Sequence, residues 1–183
     1  EADVLRAFDA TQQAFGRLDA VVVNAGIVGS ALPLAKMSLE RMQQMFDTNI
    51  LGAFLFAREA ARRLPGSDGG ASIVFVSSAA ARLGSPFEYV DYAASKGAID
   101  TLTIGLSKEL AGQGIRVNAV RPGLIETDIH ASGGQPDRAQ RLGKMVPMER
   151  PGSAQEVAQS ILWLCSDDAS YCTGALLDVS GGR

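Results

Sequence analysis

The chain has 183 residues, a formal net charge of −3, 46% hydrophobic residues and 20% charged residues. That length and balance suit one domain with a buried core and exclude a disordered or fibrous class. No basic run or stripe argues for nucleic acid or an anionic membrane as partner, and no apolar stretch is long enough to span a bilayer.

Helix and strand signals alternate from the start. Val4, Phe8, Thr11 and Phe15 recur at helical spacing until Gly16 ends the run. "DAVVV" (19–23) reads as a strand buried on both faces, and "NAG" (24–26) as the turn after it. Ser38 is placed to cap a long helix that runs to about Leu64 and stops at Pro65. "PGSDGGA" (65–71) is a loop, and "SIVFVSS" (72–78) a second buried strand. A helix is expected from about Tyr89 to Ala111, ended by Gly112 and Gly114. "IRVNAV" (115–120) is a third strand, followed by "RPGLIETDIH". The polar, Gly-rich residues 131–144 suggest a mobile segment with a short helix after it. Ser153 begins a helix ending near Ser166, and "GALLDVS" (174–180) is the last strand.

This alternation predicts an α/β fold of the Rossmann type, a doubly wound parallel sheet with helices on both faces. Such sheets place ligands beyond the carboxyl ends of their strands. "NAG", "SS" and "PG" each follow a strand, so one crevice is expected there.

The stretch "YVDYAASK" (89–96) carries the strongest chemical signal. Residues four apart share a helix face, so Tyr92 and Lys96 project together, while Tyr89 reads as a packing or substrate-pocket residue. A free tyrosine has a pKa of about 10, and acid/base work near neutrality needs a shift worth roughly 4 kcal/mol. One ammonium about 5 Å away favours the phenolate by roughly 3 kcal/mol at an effective dielectric of about 20. Burial opposes that shift, so a second positive charge nearby would help. Ser77 and Ser78 close a strand upstream, where a hydroxyl can bond a substrate oxygen. Asn49 stands mid-helix in "DTNILG", where asparagine is a poor helix former and needs a reason. Cys165 and Cys172 lie in no metal-ligand spacing, so reduced thiols in a cytoplasmic protein, and no metal, are expected. His130, the single histidine, reads as a loop residue, and Trp163 as core or subunit interface.

Together "NAG", "TNILGAF", "VSS", "YAASK", "RVNAVRPGLIET" and "TGALLDVSGG" resemble, in order and over essentially the whole chain, the short-chain dehydrogenase/reductase family. The stretch around "AARLGSPFEYVDYAASK" is similar to bacterial members of the glucose-dehydrogenase and acyl-carrier-protein-reductase types. The resemblance implies a hydride transfer between NAD or NADP and a small hydroxyl or carbonyl substrate. Tyr92 would be the general acid/base, and Lys96 would lower its pKa and bond the nicotinamide ribose. A serine would polarise the substrate carbonyl, and Asn49 would hold a water in a proton relay to Lys96. Asn24, Ala25 and Gly26 would line the adenosine side of the cofactor. Pro122, Gly123, Ile125 and Thr127 would pack on the nicotinamide. Residues after Asp128 would cover the substrate, with apolar contacts from Met145, Val146 and Met148. The resemblance also implies a homodimer or homotetramer built through residues 38–64, 91–111 and 153–183.

Two features depart from the family pattern. Ser78 and Tyr92 stand one residue further apart than is common, with the extra residue in a loop where insertion is cheap. Ser78 is therefore preferred and Ser77 is the fallback, since strand alternation puts the two on opposite faces. The second departure is larger. No TGxxxGxG turn precedes the first strand, so roughly sixty to seventy residues and about three strands of the usual six or seven are expected to be missing. The whole of 1–183 is then one Rossmann domain without its N-terminal cofactor-binding βαβ unit. "DAVVV" would be left as an apolar edge with no proline, lysine or bulge to protect it. The alternative expectation is a non-catalytic remnant that keeps only its structural, oligomer-forming role.

Overall fold

The computed structural model describes residues 1–66 and 70–183. Its main sheet is parallel, with strand order β1-β2-β3-β6, made of β1 (Ala20–Val23), β2 (Ala71–Val76), β3 (Ile115–Pro122) and β6 (Leu176–Val179). The register pairs Val21 with Ile73, Val76 with Val120 and Pro122 with Val179. Two further short strands, β4 (Ile125–Glu126) and β5 (Gly152–Ser153), pair in parallel beside it.

The expected α/β architecture follows from how β2 and β3 distribute their side chains. Ile73, Phe75, Val117 and Ala119 face one layer, where they meet Val4 and Phe8 of α1 (Ala2–Phe15). The same layer takes Ala53, Ala57 and Ala60 of α3 (Gly52–Arg63) and Ile99 of α5 (Val90–Leu110). Val74 and Val120 face the opposite layer, against Val157 and Leu164 of α8 (Ala154–Cys165). Burying each Val, Leu, Ile or Phe among them contributes about 1.5–3 kcal/mol relative to exposure, so these two layers hold the sheet between its helices.

Several local expectations are met with physical cause. Gly16 ends α1 in the left-handed region at φ 77°, which a residue with a Cβ adopts only at a cost. Ser38 accepts from Arg41 N at 3.2 Å and caps α2 (Leu39–Phe46). Ser153 and Glu156 form a reciprocal capping box at the start of α8. The loop expected over 65–71 falls partly on residues 67–69, which lie outside the described residues.

Other expectations are corrected. "DAVVV" is not buried on both faces: Val22 is 45% exposed, because β1 is the edge of this sheet and one of its faces carries no helix at that position. The long helix after Ser38 is not uniform. Between α2 and α3, residues Asp47–Leu51 form a π-helical turn, the kind of insertion that gathers at functional sites. The stretch 131–144 is largely helical rather than irregular, with α6 (Ile129–Ser132) and α7 (Arg138–Gly143). Arg138 ties this segment down through paired contacts to Glu88 at 2.7 and 3.0 Å. Trp163 is not core: it is 42% exposed on the outer face of α8. Among the described residues no helix is long and apolar enough to cross a membrane.

Candidate active site

The carboxyl ends of β1, β2 and β3 open into one cleft of about 850 Å³. Asn24, Ala25 and Gly26 follow β1, Ser77 and Ser78 follow β2, and Pro122 and Gly123 lie at the end of β3. All of them line the cleft, as do Tyr92, Lys96, Ile125 and Thr127. Asn24, Ala25 and Thr127 expose their side chains to solvent, whereas Ile125 is buried through its pairing in β4.

Tyr92 and Lys96 project from the same face of α5, with the Lys96 ammonium 5.7 Å from the centre of the Tyr92 ring. Lys96 is buried, and its Nζ donates to the Val76 carbonyl at 2.8 Å. Burial pushes this lysine down to about 8, while the nearby Asp100 carboxylate works in the opposite direction. Burial likewise pushes the Tyr92 phenol above its ordinary value of 10, opposed by a hydrogen bond from Ser78. Burial therefore disfavours the phenolate form of Tyr92 in this arrangement.

The two serines divide as strand alternation requires. Ser78 faces the phenol of Tyr92 and accepts from Ala80 N at 3.1 Å. Ser77 is turned into the protein, donating to Asp100 Oδ1 at 2.7 Å. The geometry thus puts Ser78, and not Ser77, beside Tyr92.

Asn49 sits in the π turn and is fully buried. Its Oδ1 accepts from Ile27 N at 2.8 Å, and its Nδ2 donates to Ile27 O at 3.0 Å and Ser95 Oγ at 3.1 Å. Both amide hydrogens are committed to protein acceptors, so the side chain clamps the loop after β1 to α5 and does not offer a free donor for a water. Gly26 packs closely beside it: a Cβ there would lie 3.3 Å from Lys96 Nζ and 3.4 Å from Asn49 Oδ1.

Gly123 is more tightly enclosed. A Cβ at this position would fall 2.7 Å from Ser180 Cα and 2.9 Å from Ser180 O, backbone atoms that cannot rotate away. Gly123→Ala is therefore expected to cost about 1–3 kcal/mol of stability through overpacking, read as a lowered midpoint in urea unfolding. An unchanged midpoint would show that the turn moves aside freely.

Three expected contacts are not made. Met145 and Met148 are exposed, and Val146 is buried against Leu124, Ala139 and Leu142, so none of the three lines the cleft. The segment they belong to turns away after α7. The cleft is also lined by Leu83, Tyr89, Ile129, Ser132 and Arg138. Tyr89 is held there by Gln135, whose Nε2 donates to its hydroxyl. His130 is on α6 rather than in a loop, with Nε2 2.8 Å from the Ile125 carbonyl.

Sequence spacing did not point to Arg41 or Asp91. Arg41 Nε and Nη2 contact the two carboxylate oxygens of the buried Asp91 at 2.9 and 3.2 Å, and Nη1 reaches the Ser30 carbonyl. Asp91 Oδ1 also accepts from Tyr92 N at 2.9 Å. The pair therefore fastens α2, the loop after β1 and the start of α5 immediately before Tyr92. Only the adjacency of a charged residue to Tyr92 hinted at it.

Comparison with known proteins agrees with this arrangement. A family model described as enoyl-(acyl carrier protein) reductase matches residues 1–183. The uncharacterized oxidoreductase YgfF of Escherichia coli (strain K12) is 54% identical over 185 residues, spanning 100% of this chain and 75% of its own. Glucose 1-dehydrogenase 2 of Bacillus subtilis (strain 168) is 36% identical over 182 residues, spanning 100% of this chain and 70% of its own. The crystal structure of 3-ketoacyl-(acyl-carrier-protein) reductase from Brucella melitensis complexed with NADH superposes with a TM-score of 0.93 at 31% identity, covering 100% of this chain and 74% of that one. With this match along the whole chain, and with the strand-end turns and the Tyr92–Lys96 pair in one cleft, the chain belongs to the short-chain dehydrogenase/reductase family of oxidoreductases.

Proposed function

We propose that the protein interconverts a small hydroxyl compound and its carbonyl counterpart, with Tyr92 as general acid/base and NAD or NADP as hydride carrier. The observation that carries this reading is the half-buried Tyr92 phenol in the cleft, with Ser78 and the Lys96 ammonium beside it. The cleft fits a nicotinamide dinucleotide: close-packed Gly26 and Gly123 present bare backbone at two strand ends, where a Cβ would crowd Lys96 at the first and collide with Ser180 at the second. Asn24, Ala25 and Gly26 would hold its adenosine side, and Pro122, Gly123, Ile125 and Thr127 its nicotinamide side. The bound dinucleotide supplies or accepts the hydride.

The remaining steps belong to this chain's own groups. In the reductive direction Ser78 donates a hydrogen bond to the substrate carbonyl oxygen and holds it against the phenol. Tyr92 gives its proton to that oxygen as negative charge develops there, and the adjacent ammonium stabilises the phenolate left behind. Lys96 also reaches toward the ribose region of the cleft. Asn49 fixes the loop at Ile27 beside these groups. Leu83, Tyr89 and Ile129 give the substrate side an apolar wall. A cytoplasmic homodimer or homotetramer, assembled through α2–α3, α5 and the C-terminal segment, is the accompanying proposal for its state in the cell.

The test uses protein expressed from its complete coding sequence. NADH and NADPH are titrated by fluorescence, then sugars, secondary alcohols and ketones are screened with whichever binds. Saturable binding and transfer of deuterium from a labelled cofactor to product are expected. Absence of saturable binding by folded protein would overturn the reading in favour of a non-catalytic scaffold. Turnover without deuterium transfer would point instead to dehydration or epimerisation by the same Tyr/Lys pair.

A further inference from the structure

The polar groups around the start of α5 fix the direction of one hydroxyl. Tyr89 stands one turn before Tyr92, is 7% exposed and lines the same cleft. Gln135 meets it from the segment between α6 and α7, with its amide 2.5 Å from the phenolic oxygen. The other end of that amide lies 2.7 Å from Arg141 Nη2 and 3.2 Å from Arg138 Nη1. Guanidinium nitrogens only donate, so the atom facing them is the amide oxygen and the atom facing Tyr89 is the amide nitrogen. That nitrogen donates, and the Tyr89 oxygen accepts. The phenol therefore keeps its own proton for another partner, and among the described residues none accepts it. A buried O–H is seldom left without an acceptor, because the lost bond to water is costly. The cleft is where such an acceptor can enter.

We infer that Tyr89 is a specificity-determining residue of the proposed reaction: its O–H, aimed by Gln135, donates to a second, neutral oxygen of the substrate, a hydroxyl or an ether. This rests on the reading of Tyr92 as the group beside the reacting carbonyl. The neutrality of the partner follows from how the nearby charges are used. Arg138 is bonded to both carboxylate oxygens of Glu88, at 2.7 and 3.0 Å, and only 12% of its side chain is exposed. Arg141 pairs with Asp137 at 3.7 Å and with Gln135. Neither guanidinium is left over to hold a carboxylate or phosphate. Arg183 also lines the cleft but is exposed, where screening by salt weakens its hold on an anion. Arg138 has a further task, lying over the Tyr89 ring at 5.2 Å from its centre and holding the phenol in one orientation. Glu88, Arg138 and Gln135 thus form one chain of contacts that ends in a directed donor.

The test compares cyclohexanone with its 2-, 3- and 4-hydroxy derivatives, using protein expressed from its complete coding sequence and saturated with NADH or NADPH. At least one hydroxyketone is expected to exceed cyclohexanone in kcat/KM by about tenfold. Tyr89→Phe keeps the ring beneath Arg138 and removes only the donor, so that ratio should fall to about one. Gln135→Glu tests the aim. Its carboxylate still accepts from Arg138 and Arg141, but the oxygen facing Tyr89 now takes the phenol's proton, so the ratio should fall although the phenol remains. A parent protein that favours no hydroxyketone overturns the inference, and so does the parent's ratio persisting in either variant. An equal loss on all four ketones leaves the ratio intact and would mark Tyr89 as purely structural. A preference for 4-oxocyclohexanecarboxylate over every hydroxyketone would overturn the neutral partner. The same compounds are titrated by calorimetry against Tyr92→Phe and Tyr89→Phe/Tyr92→Phe, which gives the order of affinities without turnover. Retained turnover in Tyr92→Phe would remove the underlying reading, while that order of affinities still decides the role of Tyr89.

Discussion

Tyr92→Phe is expected to lower kcat by about 10³-fold, with cofactor binding nearly unchanged. The substitution removes one oxygen and keeps the ring that fills the floor of the cleft, so the backbone of α5 and the Lys96–Val76 bond have no cause to move. What disappears is the only phenol placed beside Ser78, and with it the proton transferred to the substrate oxygen. A positioned acid/base contributes about 10² to 10⁴ in rate, and no other group at this end of the cleft takes its place. Tyr89, the other phenol in the cleft, is engaged by Gln135 and stacked under the Arg138 guanidinium, 5.2 Å from its ring centre. The measurement is single-turnover reduction at saturating cofactor, alongside fluorescence titration. Turnover within a few-fold of the parent protein would remove Tyr92 from the mechanism.

Lys96→Met should fail in two ways at once. Methionine approximates the aliphatic stem and fills the buried volume, so the test isolates the charge. At 5.7 Å from the ring centre, one ammonium favours the phenolate by about 3 kcal/mol at an effective dielectric of about 20. Its loss corresponds to roughly a 10²-fold fall in kcat. The same ammonium is assigned to the ribose region, so the Kd for NADH or NADPH should rise as well, unlike in Tyr92→Phe. The sign of the pH dependence follows from burial. With the lysine pushed down to about 8, raising the pH through that value removes the charge and carbonyl reduction should decline. In Lys96→Met that decline should be absent from the already low rate. A variant with normal cofactor affinity, or one whose alkaline decline persists, would argue against the double role.

The parts of this fold that were legible in the chain are those governed by local rules. "SIVFVSS" and "IRVNAV" are β-branched, apolar runs, and both strands are buried in the middle of the sheet. Ser38, Gly16 and Ser153 act at helix ends through their own backbone geometry, so their positions could be read directly. Tyr92 and Lys96 share a face because a helix repeats every 3.6 residues, whatever surrounds it. In "DAVVV" the same reasoning overreached, since an apolar strand is buried only as far as neighbouring elements cover it.

The sequence by itself therefore determined the alternation of elements, the parallel sheet, the strand-end turns and the Tyr92–Lys96 pair. Packing was needed to choose between Ser77 and Ser78, because alternation says that they oppose each other but not which one meets α5. Packing also placed the π turn that buries Asn49, the Arg41–Asp91 fastening and the Asp100–Arg121 pair, all of which join residues far apart in the chain. It turned Met145 and Met148 out to solvent and brought α6 and α7 to the cleft instead. The pKa directions came from the same source: a lysine four residues from a tyrosine can be read from spacing, but the water that both lose is set by everything packed around them.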